Sequence, residues 1–311
     1  MMGHMDVADR FRGPLVIDGG LASQLELLGA DLRDELWSAR LLVDEPDLIR
    51  RAHRSYFEAG ADVAIGASYQ ASFDGFSRRG IDQAGSVMLL RRSVELARDA
   101  AAGFAGDERT PLVAASVGPF GAVLADGSEY DGRYGVTTEE LVAFHEPRLD
   151  VLLGAEPDLL AVETIPSIVE TEVIVRLLDA RPGARAWVSF SCRDEGRISD
   201  GTPIVEAASL AASSPAVMGV GVNCTPPGFV AGLLRGIRRE LPEVPLIAYP
   251  NVGSTWDATA RAWRAEGPRP DFGAGAAAWS EEGATAIGGC CGTGPDDIAA
   301  IAAVLLGRDT R

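Results

Sequence analysis

Four cysteines carry the sharpest chemical signal in this sequence: Cys192, Cys224 and the adjacent pair Cys290 and Cys291. Cys224 follows the apolar run Val217 to Asn223, and the pair follows another, in Ile-Gly-Gly-Cys-Cys-Gly. Thiolates are soft ligands that suit zinc, and three protein ligands in place of four leave a position open for substrate. Gly288, Gly289 and Gly292 let the backbone turn tightly enough for neighbouring thiols to face one ion. The same residues can instead be read as small buried hydrophobes or as a strained vicinal disulfide. Cys192 ends a different run and reads as a structural thiol.

Asp18-Gly19-Gly20 follows the first apolar run. Two glycines there either make a tight turn or expose amides to a carboxylate or phosphate, with Asp18 free to hold an ammonium group. Glu163 closes another apolar run, in Ala-Val-Glu-Thr-Ile-Pro, where an acid is costly to bury unless a ligand or an arginine pairs with it. Asn223, beside Cys224, either supports the thiolate and its substrate or is a turn residue. The final Gly-Cys-Cys-Gly-Thr-Gly-Pro looks like a phosphate loop but lacks its lysine.

Two absences narrow the chemistry. No lysine occurs, so Schiff-base catalysis on a lysine is excluded. The three histidines make no zinc motif and no obvious triad: His4 is near the N-terminus, while His53 and His145 lie in charged helical stretches and read as surface residues. With 28 basic against 45 acidic residues, the net charge of -17 repels nucleic acids and anionic membranes. No run reaches the ~20 apolar residues of a membrane span, and residues 1–10 have no apolar signal core, which suggests a cytoplasmic protein.

These candidates need a scaffold that gathers them. Apolar runs recur at Leu15–Asp18, Val63–Ser68, Leu112–Val117, Leu159–Glu163, Ala186–Ser191, Val217–Asn223, Leu246–Pro250 and Thr285–Gly289. Helix-like segments lie between them, at Pro46–Ala59, Ser86–Ala102, Thr138–Leu153, Ser167–Leu178 and Pro227–Leu241, and Pro295–Leu306 follows the last run. Continuous apolar strands joined by helical crossovers predict a parallel sheet. Eight of them predict an α/β (β/α)8 TIM barrel, with a doubly wound open sheet as the alternative. In a barrel the C-terminal strand ends converge on one rim, where longer loops are expected at Gly118–Thr137 and Cys192–Pro203. No linker divides the chain, so residues 11–311 read as one domain. Residues 1–10 read as a disordered tail, with Met1–Met5 resembling a cloning remnant. Oligomeric state has no signature in the sequence.

Several segments resemble one family. Asp18 to Glu26 (Asp-Gly-Gly-Leu-Ala-Ser-Gln-Leu-Glu), Leu36 to Ala39, Ala67 to Ala71, Ser116 to Pro119, Leu124 to Tyr130, Ser199 to Pro203, Asn223-Cys224, Tyr249 to Asn251 and Gly288 to Cys291 are similar, in order, to bacterial and plant homocysteine S-methyltransferases. The likeness is to the branch that uses S-methylmethionine rather than betaine. It implies Zn2+ held by Cys224, Cys290 and Cys291, with the homocysteine sulfur as incoming ligand. It also implies that Asp18, Gly19, Gly20 and Glu163 bind the amino-acid end of homocysteine, and Asn223 joins the substrate-facing candidates. Gly66 departs from the pattern, since relatives usually have Thr there.

The implied reaction is methyl transfer from a sulfonium, S-methylmethionine or S-adenosylmethionine, to homocysteine, giving methionine. A free thiol with a pKa near ~8.5 is mostly protonated at neutral pH, and zinc would ionise it. A sulfonium departs as a neutral thioether and needs no general acid, which agrees with the scarcity of histidine. Tyr69, Tyr249 and Trp256 are candidates to face the sulfonium. Two alternatives are a cysteine-based zinc or redox sensor without turnover and a phosphate-binding barrel enzyme.

Overall fold

Eight apolar runs pair in parallel around one axis. In the computed structural model, which describes residues 6–32, 38–106, 110–124, 126–257, 262–265 and 268–308, they are β1 (Leu15–Val16), β2 (Val63–Ile65), β3 (Leu112–Val117), β4 (Leu159–Ile165), β5 (Ala186–Phe190), β6 (Val217–Asn223) and β7 (Leu246–Tyr249). An antiparallel hairpin of β8 (Ser254–Asp257) and β9 (Ala262–Ala265) precedes the eighth barrel strand, β10 (Ala284–Ile287). The sheet runs β1-β10-β7-β6-β5-β4-β3-β2. A parallel bridge between Ile17 and Val63 joins its two ends. At this seam the Asp18 N–H donates to the Val63 carbonyl (3.0 Å) and the Val16 N–H to the Asp62 carboxylate (3.0 Å). The seam closes the (β/α)8 barrel and removes the open-sheet alternative, because an open sheet would leave β1 and β2 as unpaired edges.

All six expected helices form, as Pro46–Glu58, Gln83–Ala102, Thr138–Leu153, Ile168–Asp179, Pro227–Glu240 and Pro295–Leu306. Helices Ile204–Ala212 and Phe272–Glu281 occupy the crossovers after β5 and β9. Local chemistry sets several starts. Thr137 and Glu140 form a reciprocal capping box, and Asp297 accepts the Gly294 N–H (2.8 Å) ahead of Pro295. No helix among the described residues is long and apolar enough to cross a membrane.

Strand side chains alternate between two cores. One face packs against the helices; the other fills the barrel interior with Leu15, Ile17, Val63, Ala114, Ala161, Trp187, Ile247, Tyr249 and Ala286. Small alanines on three strands leave room for the indole of Trp187.

Three expectations are corrected here. Within the segment expected to be disordered, Val7–Arg10 form a helical turn capped by Asp6, and Arg185 pairs with Asp6 at 2.8 Å. Val7 packs against the barrel interior, and the next residue but three, Phe11, is fully buried with its ring 5.7 Å from Trp187. The segment therefore belongs to the barrel, whose interior needs apolar filling; residues 1–5 lie outside the described residues. His53 and His145 are not surface residues, since both are completely buried. Arg50, Arg51 and Arg54 make the first of these helices look exposed, yet Ile49, Ala52, His53, Tyr56 and Phe57 share its buried face. The β8–β9 hairpin was not foreseen, and the side chain of Trp256 within it lies outside the described residues.

Replacing Phe11 by Ala should cost about 3–5 kcal/mol, through lost transfer energy and an unfilled cavity beside Trp187. Urea denaturation would check this, and a loss below about 1 kcal/mol would mean that the N-terminal turn does not close the interior.

Candidate metal centre and substrate cavity

Cys224 follows β6, and Cys290 and Cys291 follow β10, so barrel closure brings their sulfurs to one rim. The three Sγ atoms lie within 4.8 Å of one another, with Cys224 and Cys291 at 3.5 Å. Metal–sulfur bonds of ~2.3 Å in a tetrahedral set place sulfurs roughly 3.8 Å apart, so this donor set fits one soft ion. Protonation tells the same story. Hydrogen bonds from Cys290 and Cys291 pull the Cys224 thiol well below its usual range, while the same contacts with Cys224 push Cys290 and Cys291 up. Without a cation the cluster accommodates one thiolate readily, and a divalent cation would stabilise the others.

The cysteine loop is fastened on two sides. Cys290 N–H donates to Pro250 O (2.8 Å), Gly292 N–H to Ser23 Oγ (2.8 Å) and Thr293 Oγ1 to Cys290 O (2.6 Å). Gly292 has φ +81°, where a side chain would also strike Val252, so the tight turn expected from the glycines is present. Gly20 allows the first loop to press on the second, since a Cβ there would come 2.4 Å from the Cys290 carbonyl oxygen. The Gly20 N–H donates to Thr293 Oγ1 (3.0 Å), so that amide holds the two loops together and is not open to a ligand. Tyr56 locks the pair further by donating to the carbonyls of Gly20 (2.9 Å) and Thr293 (3.2 Å).

The sulfurs face a cavity that opens at the C-terminal rim of the barrel. Asp18, Gly19, Gly20 and Glu163 all line it, as do Tyr69 and Tyr249. Asp18 accepts the Ile65 N–H (2.9 Å) through Oδ2, while Oδ1 is buried without a partner. Burial and the neighbouring Glu163 raise the Asp18 carboxyl well above its ordinary range. The nearest imidazole does not relieve it: His53 Nδ1 is 4.0 Å away, and burial lowers that group to about 4, so it is neutral at pH 7. Glu163 is hydrogen-bonded by Ser116 and Tyr249, yet burial and the charge of Cys224 push it up to about 7. Two buried carboxyls without a counter-charge are what a ligand's ammonium would satisfy.

Asn223 differs from the other candidates because its side chain does not line the cavity. Its Oδ1 accepts the Thr164 N–H and its Nδ2 donates to Thr164 Oγ1, both at 2.7 Å, tying the end of β4 to the end of β6. Thr164 (φ +61°) and Cys224 (φ +45°) are left-handed non-glycine residues, so the clamp holds strained backbone at the site. Cys192 is outside the sulfur cluster. It is buried, with its thiol 3.7 Å from the Phe190 carbonyl, in keeping with a structural role. At Gly66, on the cavity wall, a Cβ would lie 3.1 Å from the Ser93 carbonyl oxygen, so a threonine here would need that backbone to give way.

Two residues without an assigned role also reach the site. The long loop after β3 contains a helix at Phe120–Leu124 and a 3-10 turn at Ser128–Tyr130. That turn delivers Glu129 to the cavity and sets the Tyr130 hydroxyl 3.2 Å from Cys224 Sγ. Behind them, fully buried Glu170 accepts from Phe120 N–H (2.6 Å) and Tyr134 OH (2.8 Å) and bonds His145 (2.8 Å). Arg148, also buried, donates to the carbonyls of Ser68, Tyr69 and Gly118. The signal in the sequence was the acidic and aromatic Ser-Glu-Tyr inside a loop expected on the rim.

A closed (β/α)8 barrel with a three-thiol centre at its C-terminal rim defines a class of thiol-metal barrels. The family model described as Homocysteine S-methyltransferase matches residues 15–305, and the chain belongs to that family. It is 46% identical over 296 residues to a homocysteine S-methyltransferase of Escherichia coli, covering 93% of this chain and 94% of that one. It is 44% identical over 295 residues to homocysteine S-methyltransferase YbgG of Bacillus subtilis, covering 93% of each. Among solved structures, the metallated form of the homocysteine methyltransferase MmuM from Escherichia coli superposes with a TM-score of 0.84 at 44% identity, over 93% of this chain and 96% of that one.

The raised Glu163 carboxyl makes stability depend on pH. Between its ordinary 4.5 and about 7, the folded state holds a proton that the unfolded chain releases, so stability falls as pH rises through this window. In metal-free protein, Glu163→Gln should therefore be more stable than the parent at pH 8, by on the order of 3 kcal/mol, and little changed at pH 4. Thermal melts at the two pH values would check this; equal gains at both would mean that ionisation is not the cause.

Proposed function

We propose that the chain transfers a methyl group from a sulfonium amino acid, S-methylmethionine in the first instance, to homocysteine, with zinc held by Cys224, Cys290 and Cys291. The observation that carries this reading is the meeting of three sulfurs at a cavity whose buried acids lack counter-charges. Bound zinc supplies a Lewis acid that ionises an incoming thiol near neutral pH. The remaining work belongs to the protein. Asp18 and Glu163 hold the homocysteine ammonium, which satisfies carboxyls that burial otherwise keeps protonated. Ser116 and Tyr249 aim Glu163, and the Trp187 indole, donating to the Tyr249 hydroxyl at 3.0 Å, aims Tyr249. Asn223 acts through Thr164 as a positioning residue.

In the transfer a carbon–sulfur bond forms at homocysteine as the methyl–sulfur bond of the donor breaks. The donor's electron pair stays on its sulfur, so it leaves as a neutral thioether, and the thiol proton goes to solvent. No side chain has to protonate the leaving group, which suits a cavity with no histidine among the described residues on its walls. The enzyme's contribution is then alignment and exclusion of water. Tyr69 and Tyr249 line the cavity and are the aromatic candidates to meet the sulfonium. A sensor without turnover would have no use for a cavity lined by buried acids that lack counter-charges. A site built on three thiolates needs a reducing compartment to keep its ligands from oxidation, and on that chemistry we assign the chain to the cytoplasm.

Zinc-loaded protein given homocysteine and S-methylmethionine should form methionine. Cys291→Ser should lower bound zinc and activity together, by at least about tenfold in rate, and full activity in a zinc-free Cys291→Ser protein would end this reading. Glu163→Gln should raise the KM for homocysteine about tenfold, as expected for a lost charge-assisted hydrogen bond, while zinc stays bound. An unchanged KM would remove Glu163 from the homocysteine site.

A further inference from the structure

The cavity contains one more buried acid than homocysteine binding uses. Asp18 follows β1 and Glu163 lies in β4; both line the cavity, and Glu163 raises the Asp18 carboxyl. Glu129 reaches the same cavity from a different element, the turn Ser128–Tyr130 in the loop after β3. It is only 7% exposed, and its Oε2 is buried without a hydrogen-bond partner. Its backbone is rigidly placed. Ser191 Oγ donates to the Glu129 carbonyl (3.0 Å), Gly127 enters the turn at φ +91°, and Gly121 packs so close that a Cβ would meet the Glu129 nitrogen at 2.6 Å. An acid held this firmly on a cavity wall, with one buried oxygen lacking a hydrogen-bond partner, fits a binding group whose ligand is absent.

From this placement we infer that Glu129 recognises the α-ammonium group of the methyl donor and so selects amino-acid sulfoniums as donors. The inference rests on the methyl-transfer reading above. A sulfonium amino acid presents two positive centres, and the chemistry distinguishes between them. The sulfonium charge disappears as the methyl leaves, so a carboxylate pressed against it would stabilise the reactants more than the transition state and slow the transfer. The ammonium keeps its charge throughout. A carboxylate paired with it holds the donor equally in both states and fixes its alignment without opposing the reaction. The arrangement then gives each of the two substrates its own anchor: Asp18 with Glu163 for the acceptor, Glu129 for the donor.

The test uses zinc-loaded full-length protein, with two ligands titrated by calorimetry: S-methylmethionine and its desamino analogue, (3-carboxypropyl)dimethylsulfonium. Glu129→Gln should weaken S-methylmethionine binding and raise its KM by about tenfold or more, the scale of one charge-assisted hydrogen bond. Glu129→Asp should lose less. Zinc content should stay the same, and the KM for homocysteine should stay within about twofold of the parent value. The desamino analogue should bind the parent about tenfold more weakly than S-methylmethionine and should not distinguish the parent from Glu129→Gln. This parent comparison does not depend on how any variant folds. Equal binding of the two sulfoniums by the parent would overturn the inference. So would a Glu129→Gln effect that falls on the homocysteine KM, or one that is equal for both donors. Absence of methionine formation by the parent would instead count against the functional reading itself.

Discussion

Three sulfurs crowded within 4.8 Å of one another are the constraint on which the rest of the molecule depends. Left alone, such a cluster shares protons so that one thiolate is stabilised by two thiols, as the opposite shifts of Cys224 and its neighbours show. A divalent cation relieves that crowding and makes the same geometry favourable. The backbone must therefore be stiff before any ion arrives. Gly20 packed on Cys290, the left-handed turns at Gly292 and Cys224, and the Asn223–Thr164 clamp supply the stiffness.

The acids extend the logic from metal to substrate. Asp18, Glu129 and Glu163 are each buried in the cavity wall with raised pKa values, and desolvation is the largest cause in every case. Such residues weaken the empty protein and tighten its hold on a cation, because the ligand supplies what solvent cannot. Stability and binding thus draw on the same side chains in opposite directions. The net charge of -17 acts in the same sense, since an acidic chain attracts cationic ligands.

Behind the site, buried charges serve architecture instead. Glu170 and Arg148 project from the helices Ile168–Asp179 and Thr138–Leu153 and bond backbone groups of the loops that carry Tyr69, Glu129 and Tyr130. His145 completes the Glu170 cluster as an inner hydrogen-bond partner. Its helix looks charged in sequence, and only packing shows which face turns inward.

The sequence by itself pointed to the eight barrel strands, to the barrel as the first reading and to the cysteine cluster at its rim. Apolar runs of strand length buried on both faces have few structural alternatives, and cysteines at strand ends converge once the barrel closes. It also pointed to Asp18 and Glu163, since an acid closing an apolar run has to be satisfied by something. Only the tertiary structure decided the rest. Glu129 sits in a loop whose path follows from Gly121, Ser191 and the Glu170 cluster, contacts distant along the chain and without local periodicity. Asn223 was legible as a site residue but not as a clamp on Thr164, because its partner comes from another strand. Val7 looked peripheral until the barrel interior required a plug, and His53 was masked by the arginines beside it. Local patterns encode which backbone each segment prefers; which side chains meet is settled by closure of the barrel, where residues far apart in the chain share one buried volume.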